Sequence, residues 1–130
     1  MNDLQLTYVC RQHSLHGGCT YQTHMGDRRG YHVFAVSPFK FKELRVPGSE
    51  LPFVTLENYV NLNRRVLDDP HFALGTWYDE EHDESVLDLL FLTGYEDEAI
   101  AFAVGADQQA YYNLNTETVV FVNDKEPVHA

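Results

Sequence analysis

"FALGTWYDEEHDESVLDLLFL", residues 72–92, is the stretch whose reading decides the fold of this chain. Phe72-Ala73-Leu74-Gly75-Thr76-Trp77-Tyr78 carries the apolar and aromatic residues of a strand, and Asp69-Pro70 closes whatever precedes it. Asp79-Glu80-Glu81-His82-Asp83-Glu84 contains no apolar residue and breaks the pattern. A second apolar run, Ser85–Leu92, follows at once. Two such runs joined by a short polar loop form a hairpin.

The neighbouring elements are placed from this hairpin outward. Upstream, Thr55 is an N-cap candidate, and Leu56, Tyr59, Val60, Asn63, Val66 and Leu67 recur at helical spacing. Before that, Tyr31–Val36 reads as a strand stopped by Ser37-Pro38. Phe39-Lys40-Phe41-Lys42 alternates, so its Phe side is expected to pack. Downstream, Thr93-Gly94-Tyr95-Glu96 matches a capping box. Glu96, Asp97 and Glu98 then meet the positive end of a helix whose face is Ala99, Ile100, Ala103 and Ala106. Ala110–Leu114, a turn at Asn115-Thr116-Glu117 and a strand over Thr118–Val122 close the chain.

The first 30 residues are polar, and only Leu4–Val9 alternates like a strand. They are expected to form an irregular arm on a core spanning 31–122, within a single domain of 1–130. The order β-α-β-β-α-β-β predicts an α+β two-layer sandwich, an antiparallel sheet with two helices on one face.

Charge is the most uneven property of the sequence. Residues 1–65 hold 8 Lys+Arg and 5 Asp+Glu, and residues 66–130 hold 1 and 15, so a net of +3 faces one of −14. An acidic half repels phosphate and attracts basic surfaces, which argues against direct nucleic-acid binding. Solubility alone also favours such a balance. No apolar run is long enough to span a bilayer, and Met1–Gln5 has no leader-like pattern, so a cytoplasmic setting in a host cell is the expectation.

One spacing invites a metal. Cys10, His13, His16 and Cys19 fall three apart and supply the thiolates and imidazoles of a tetrahedral zinc site. Such sites normally pair their ligands in two clusters separated by a spacer, and Gly17-Gly18 reads equally well as a turn. His16-Gly17, with Tyr31 and Glu117, is also the kind of set an ADP-ribosyltransferase-like site uses. Asp88 interrupts Val86-Leu87-Asp88-Leu89-Leu90, an otherwise buried run, so it must be paired, hydrogen-bonded or protonated. A salt bridge to Arg64 or Arg65, or solvent exposure on a sheet edge, is the expectation. Trp77, beside the acidic loop, is either core or an interface anchor.

Residues 57–120 resemble small uncharacterised proteins carried by bacteriophages, prophages and plasmids. The matching positions are Gly75 and Trp77, Leu87-Asp88, Glu98-Ala99 and Gln108-Gln109-Ala110-Tyr111-Tyr112-Asn113-Leu114, with a departure at Asp107-Gln108. The resemblance implies a mobile-element origin and attaches no catalytic residue.

The resulting expectation is a non-catalytic protein-binding module, an inhibitor that docks on a basic host surface. Asp79, Glu80, Glu81, Asp83, Glu84, Glu96, Asp97 and Glu98 would imitate phosphates, with Trp77 as anchor. A small enzyme built on the N-terminal His and Cys residues and a structural phage protein are the alternatives. No motif calls for a cofactor, and no residue pattern sets the oligomeric state.

Overall fold

The computed structural model describes residues 1–124; the end of the expected domain, residues 125–130, lies outside the described residues. The chain is α+β. Its order is α1 (Asp3–His16), β1 (Gly18–Gln22), β2 (Gly26–Asp27), β3 (Phe34–Val36), β4 (Leu44–Pro47), α2 (Phe53–Leu62), α3 (Arg64–Leu67), β5 (Phe72–Asp79), β6 (Glu84–Thr93), α4 (Glu96–Gly105), β7 (Ala110–Asn113) and β8 (Thr118–Phe121). None of these helices is long and apolar enough to cross a membrane.

All strands pair antiparallel in one curled sheet, in the order β2-β1-β5-β6-β3-β7-β8. The eighth strand, β4, also pairs with β6. β6 is long enough to be shared along its outer edge. β4 covers Glu84–Leu87 and β3 covers Phe91–Thr93, so residues 88–90 fall in the gap between them.

Because directly opposed residues in a ladder point to the same side, the register sorts the two faces. Leu74, Thr76, Ser85, Leu87 and Leu89 share one face with Val36 and Phe91. That face is sealed by Leu6 and Val9 of α1, by Leu56, Tyr59 and Val60 of α2 and by Ala99 and Ala103 of α4. Leu67 of α3 joins the same core, so the helices lie on one side as expected, but four of them contribute to it. On the other face stand Gly75, Trp77, Val86, Asp88 and Leu90, and the buried cluster on Leu90's side holds no helical residue among the described ones.

The irregular arm is corrected: residues 3–16 are a helix and 18–22 a strand. Asn2 Oδ1 accepts the Gln5 N–H at 2.9 Å, while Gln5 Oε1 accepts the Asn2 N–H at 2.8 Å, a complete capping box. Leu6, Val9 and His13 are its buried positions, at helical spacing, whereas Leu4 is 83% exposed. The apparent alternation of Leu4–Val9 was therefore accidental. Gly17 ends the helix at φ +75, a conformation that suits glycine.

Three local expectations also shift. Phe39 packs against the core as expected and stacks on Phe72 at 5.9 Å between ring centres, but Lys40–Lys42 forms a 3-10 turn that leaves Phe41 80% exposed. α2 starts at Phe53 behind Pro52, so Thr55 lies inside the helix. Thr93 does not cap α4: its Oγ1 accepts the Tyr95 N–H, and Glu96 takes the Tyr111 hydroxyl instead of closing a capping box.

His13 ties α1 to the sheet. Its ring is 1% exposed, with Nδ1 3.0 Å from Thr76 Oγ1 and Nε2 2.8 Å from Ser85 Oγ. Ser85 spends its one proton on the Gly48 carbonyl, so its oxygen accepts from Nε2–H. Nδ1 then accepts from Thr76, and the imidazole is neutral and satisfied on both sides. Burial pushes its pKa below the usual histidine value, outweighing the upward pull of Glu50.

His13→Ala removes the packing, strands the Thr76 hydroxyl and takes away the donor to Ser85 Oγ, and is expected to cost about 3 kcal/mol in urea unfolding at pH 7.5. The unfolded chain protonates this imidazole more readily than the folded one. His13 therefore withdraws stability as pH falls through the ordinary histidine range. In His13→Ala that share of the acid loss should be missing.

Candidate functional site

The curl of the sheet brings its two edge regions together over the open face. Arg29, just past β2, donates from Nε to Glu117 Oε1 in the β7–β8 turn at 2.6 Å. Gly30 N–H donates to the Leu114 carbonyl at 2.9 Å, and Asn115 Nδ2 donates back to the Gly30 carbonyl at 3.0 Å. These contacts shut one end of the curl. Gln12 and His16 of α1 and the half-exposed Trp77 stand at the other.

Between them lies a cavity of about 640 Å³. Its walls include Leu90, Tyr112, Leu114 and Val119, and Gly18, Thr20, Ala35, Gly75 and Ala110 also line it. These small residues are what leave the inner face unfilled. Thr20, Gly75 and Asp88 are direct neighbours across β1, β5 and β6. A Cβ on Gly75 would sit 2.5 Å from Leu90 Cδ1, so even one methyl there would push Leu90 aside. The volume falls within the range of small-molecule sites.

Asp88 is the one charged group set deep in this cavity, at 8% exposure. It occupies the gap between β3 and β4, and the expected ion pair with Arg64 or Arg65 is corrected. Its partners are the Ser37 hydroxyl, which donates to Oδ2, and its neighbour Leu89 N–H, which donates to Oδ1 at 2.9 Å. Arg64 instead bonds Asn61 on the helical side. Burial raises the Asp88 pKa to about 6 against the two hydrogen bonds, which act downward.

The zinc quartet does not assemble. His13 uses both ring nitrogens inside the core, and Cys19 lies on the helix-covered face opposite Thr76. Cys10 packs against that same core, whereas His16 is exposed at the cavity mouth. Steps of three on a helix drift around the axis, and the strand then turns Cys19 inward. Burial pushes the Cys19 thiol up to about 12, far from a ready thiolate. Of the ADP-ribosyltransferase-like set, His16 and Glu117 line the cavity, but Tyr31 packs under the Arg28 guanidinium outside it.

The expected partner-binding carboxylates form two groups. Asp79, Glu80, Glu81, Asp83 and Glu84 cluster at the β5–β6 tip, while Glu96, Asp97 and Glu98 open α4 beyond the far end of β6. Ten residues of strand separate the groups by roughly 30 Å. Several are already engaged. Arg45 pairs with Asp79 at 2.8 Å, Glu84 at 3.2 Å and Glu43 at 3.2 Å, and lies 5.6 Å from the Trp77 ring centre. Arg45 and His82 hold the Asp79 carboxyl down at about 2. Tyr78 donates its hydroxyl to Asp83 and Tyr111 donates to Glu96. Glu80 and Glu81 remain exposed. Trp77, expected beside the acids, is also part of the cavity wall.

No protein family, curated protein or solved structure matches this chain. Sequence reasoning singled out Asp88 and Trp77 but not the cavity around them. The interior glycine of β5 was the available signal, since glycine inside a strand marks space or a close approach.

Asp88→Asn isolates the buried charge. Folded Asp88 holds its proton up to about pH 6 and the unfolded chain only to about 3.8, so its contribution to stability falls between those values and stays low above them. The asparagine variant should lack that slope and be more stable by about 2–3 kcal/mol at pH 8, measured by urea unfolding at pH 4, 6 and 8.

Proposed function

We propose that this chain is a small-molecule-binding protein whose site is the cavity enclosed by the curled sheet. The observation that carries this reading is the coincidence of space and charge. A cavity of about 640 Å³ surrounds an aspartate that is destabilising to keep buried and ionised. A carboxylate serving the fold alone would gain by meeting a cation or water. A buried carboxylate set against stability in a cavity is the kind of group that marks a functional site.

Thr20→Phe tests this by filling the cavity from β1. Trp77 is the only tryptophan and lines the cavity mouth, so its fluorescence reports occupancy. Compounds that shift Trp77 emission and raise the melting temperature of the native chain should bind at least tenfold more weakly to Thr20→Phe. Ligands indifferent to that substitution would place the binding surface elsewhere.

A second reading follows the acidic tip. Glu80 and Glu81 are exposed beside the half-exposed Trp77, on a chain of net charge −11. In this reading the tip docks on a basic host surface as an inhibitor of mobile-element origin, and the distant Glu96–Glu98 group takes no part. Association with a basic nucleic-acid-binding protein should then weaken several-fold between 50 and 300 mM salt, and Glu80→Lys with Glu81→Lys should abolish it. Binding that ignores ionic strength would leave the cavity as the sole candidate.

A further inference from the structure

We infer that the cavity selects a small organic cation, an N–H-donating ammonium or amidinium group carried on a compact apolar body, with Asp88 as its carboxylate partner. The inference rests on the ligand-binding reading above and names the chemistry of that ligand.

Asp88 has capacity to spare. A carboxylate offers about four lone-pair positions, and Ser37 and Leu89 take one on each oxygen. Among the described residues no Lys, Arg or His forms an ion pair with it. Both existing donors are neutral, so they orient the group without cancelling its charge. A neutral ligand such as an alcohol adds a third hydrogen bond and leaves the buried charge in place. A cation removes it. The gain is larger in this setting than at a surface, because Asp88 is buried and the solvent screens the pair less.

The rest of the lining points the same way. Asp27, Asp88 and Glu117 oppose the single Arg29, which Glu117 already occupies. The cavity is therefore net acidic inside an acidic molecule, a field that draws cations in and turns anions away. Leu90, Tyr112, Leu114 and Val119 suit an apolar or aromatic body. A bare divalent metal fits poorly, since magnesium or calcium demands six or more oxygen ligands and a lone carboxylate with hydroxyls falls short.

A matched set decides the question: 2-phenylethylamine, 2-phenylethanol and phenylacetate share size and shape and differ in charge. Binding to the full chain is read by calorimetry and Trp77 fluorescence at pH 8 and pH 5, for the native protein and Asp88→Asn. The amine should bind at least tenfold more tightly than the alcohol at pH 8, and the acid more weakly than either. That preference should shrink to near unity in Asp88→Asn and should fall at pH 5, where Asp88 is largely protonated. A thermal melt of Asp88→Asn confirms that it is folded. Equal binding of amine and alcohol, or a preference that survives in Asp88→Asn, overturns the cation assignment and leaves the cavity reading standing. If neither compound binds at millimolar concentration and Thr20→Phe changes nothing, both readings fall.

Discussion

Eight consecutive cross-strand pairs, from Phe72 opposite Phe91 to Asp79 opposite Glu84, hold β5 to β6, and every other element is positioned from that ladder. β1 adds along the free edge of β5. The length of β6 lets two shorter strands, β3 and β4, share its other edge. Helix α1 is locked over the pair by His13, whose two ring nitrogens reach one hydroxyl on each strand. Weakening this ladder would release the N-terminal strands, the helical layer and the cavity wall together.

The two faces of the ladder have opposite characters. Leu74, Leu87 and Leu89 point toward the helices and form the dry interior. On the other side, Gly75 and Asp88 stand directly opposed, one offering no side chain and the other a charged one. The period-2 alternation of a strand is what allows one sequence to serve both. Side-chain deficiency on the inner face, together with the Arg29–Glu117 closure at one end, converts a curled sheet into a container.

His13 and Asp88 show two ways of burying a polar group. His13 is neutral, with each ring nitrogen matched, and contributes to stability at neutral pH. Asp88 has two neutral donors and no counter-charge, so its ionised form opposes folding. The first arrangement needs nothing beyond the chain, whereas the ionised form of the second lacks a counter-charge among the described residues, and this difference is what our proposal for Asp88 rests on.

Much of this was legible in the residues. The α+β class, the β5–β6 hairpin, the buried Leu56–Tyr59–Val60 face of α2 and the peculiarity of Asp88 all follow from local periodicity or from one charged residue in an apolar run. The Asn2–Gln5 capping box was also present in the sequence, and the accidental alternation of Leu4–Val9 masked it. Other properties depend on contacts between distant segments. The sum of acidic residues in the second half is a sequence property, but their division between two ends of β6 is not. The Cys and His spacing was regular, yet a helix followed by a strand sends those side chains to different places. By itself the sequence determined which faces are apolar and where charge is carried, because those depend on near neighbours. Only the tertiary structure decided that Arg29 meets Glu117 across 88 residues, and so that Asp88 faces an enclosed space, because curling a sheet is a property of all its strands at once.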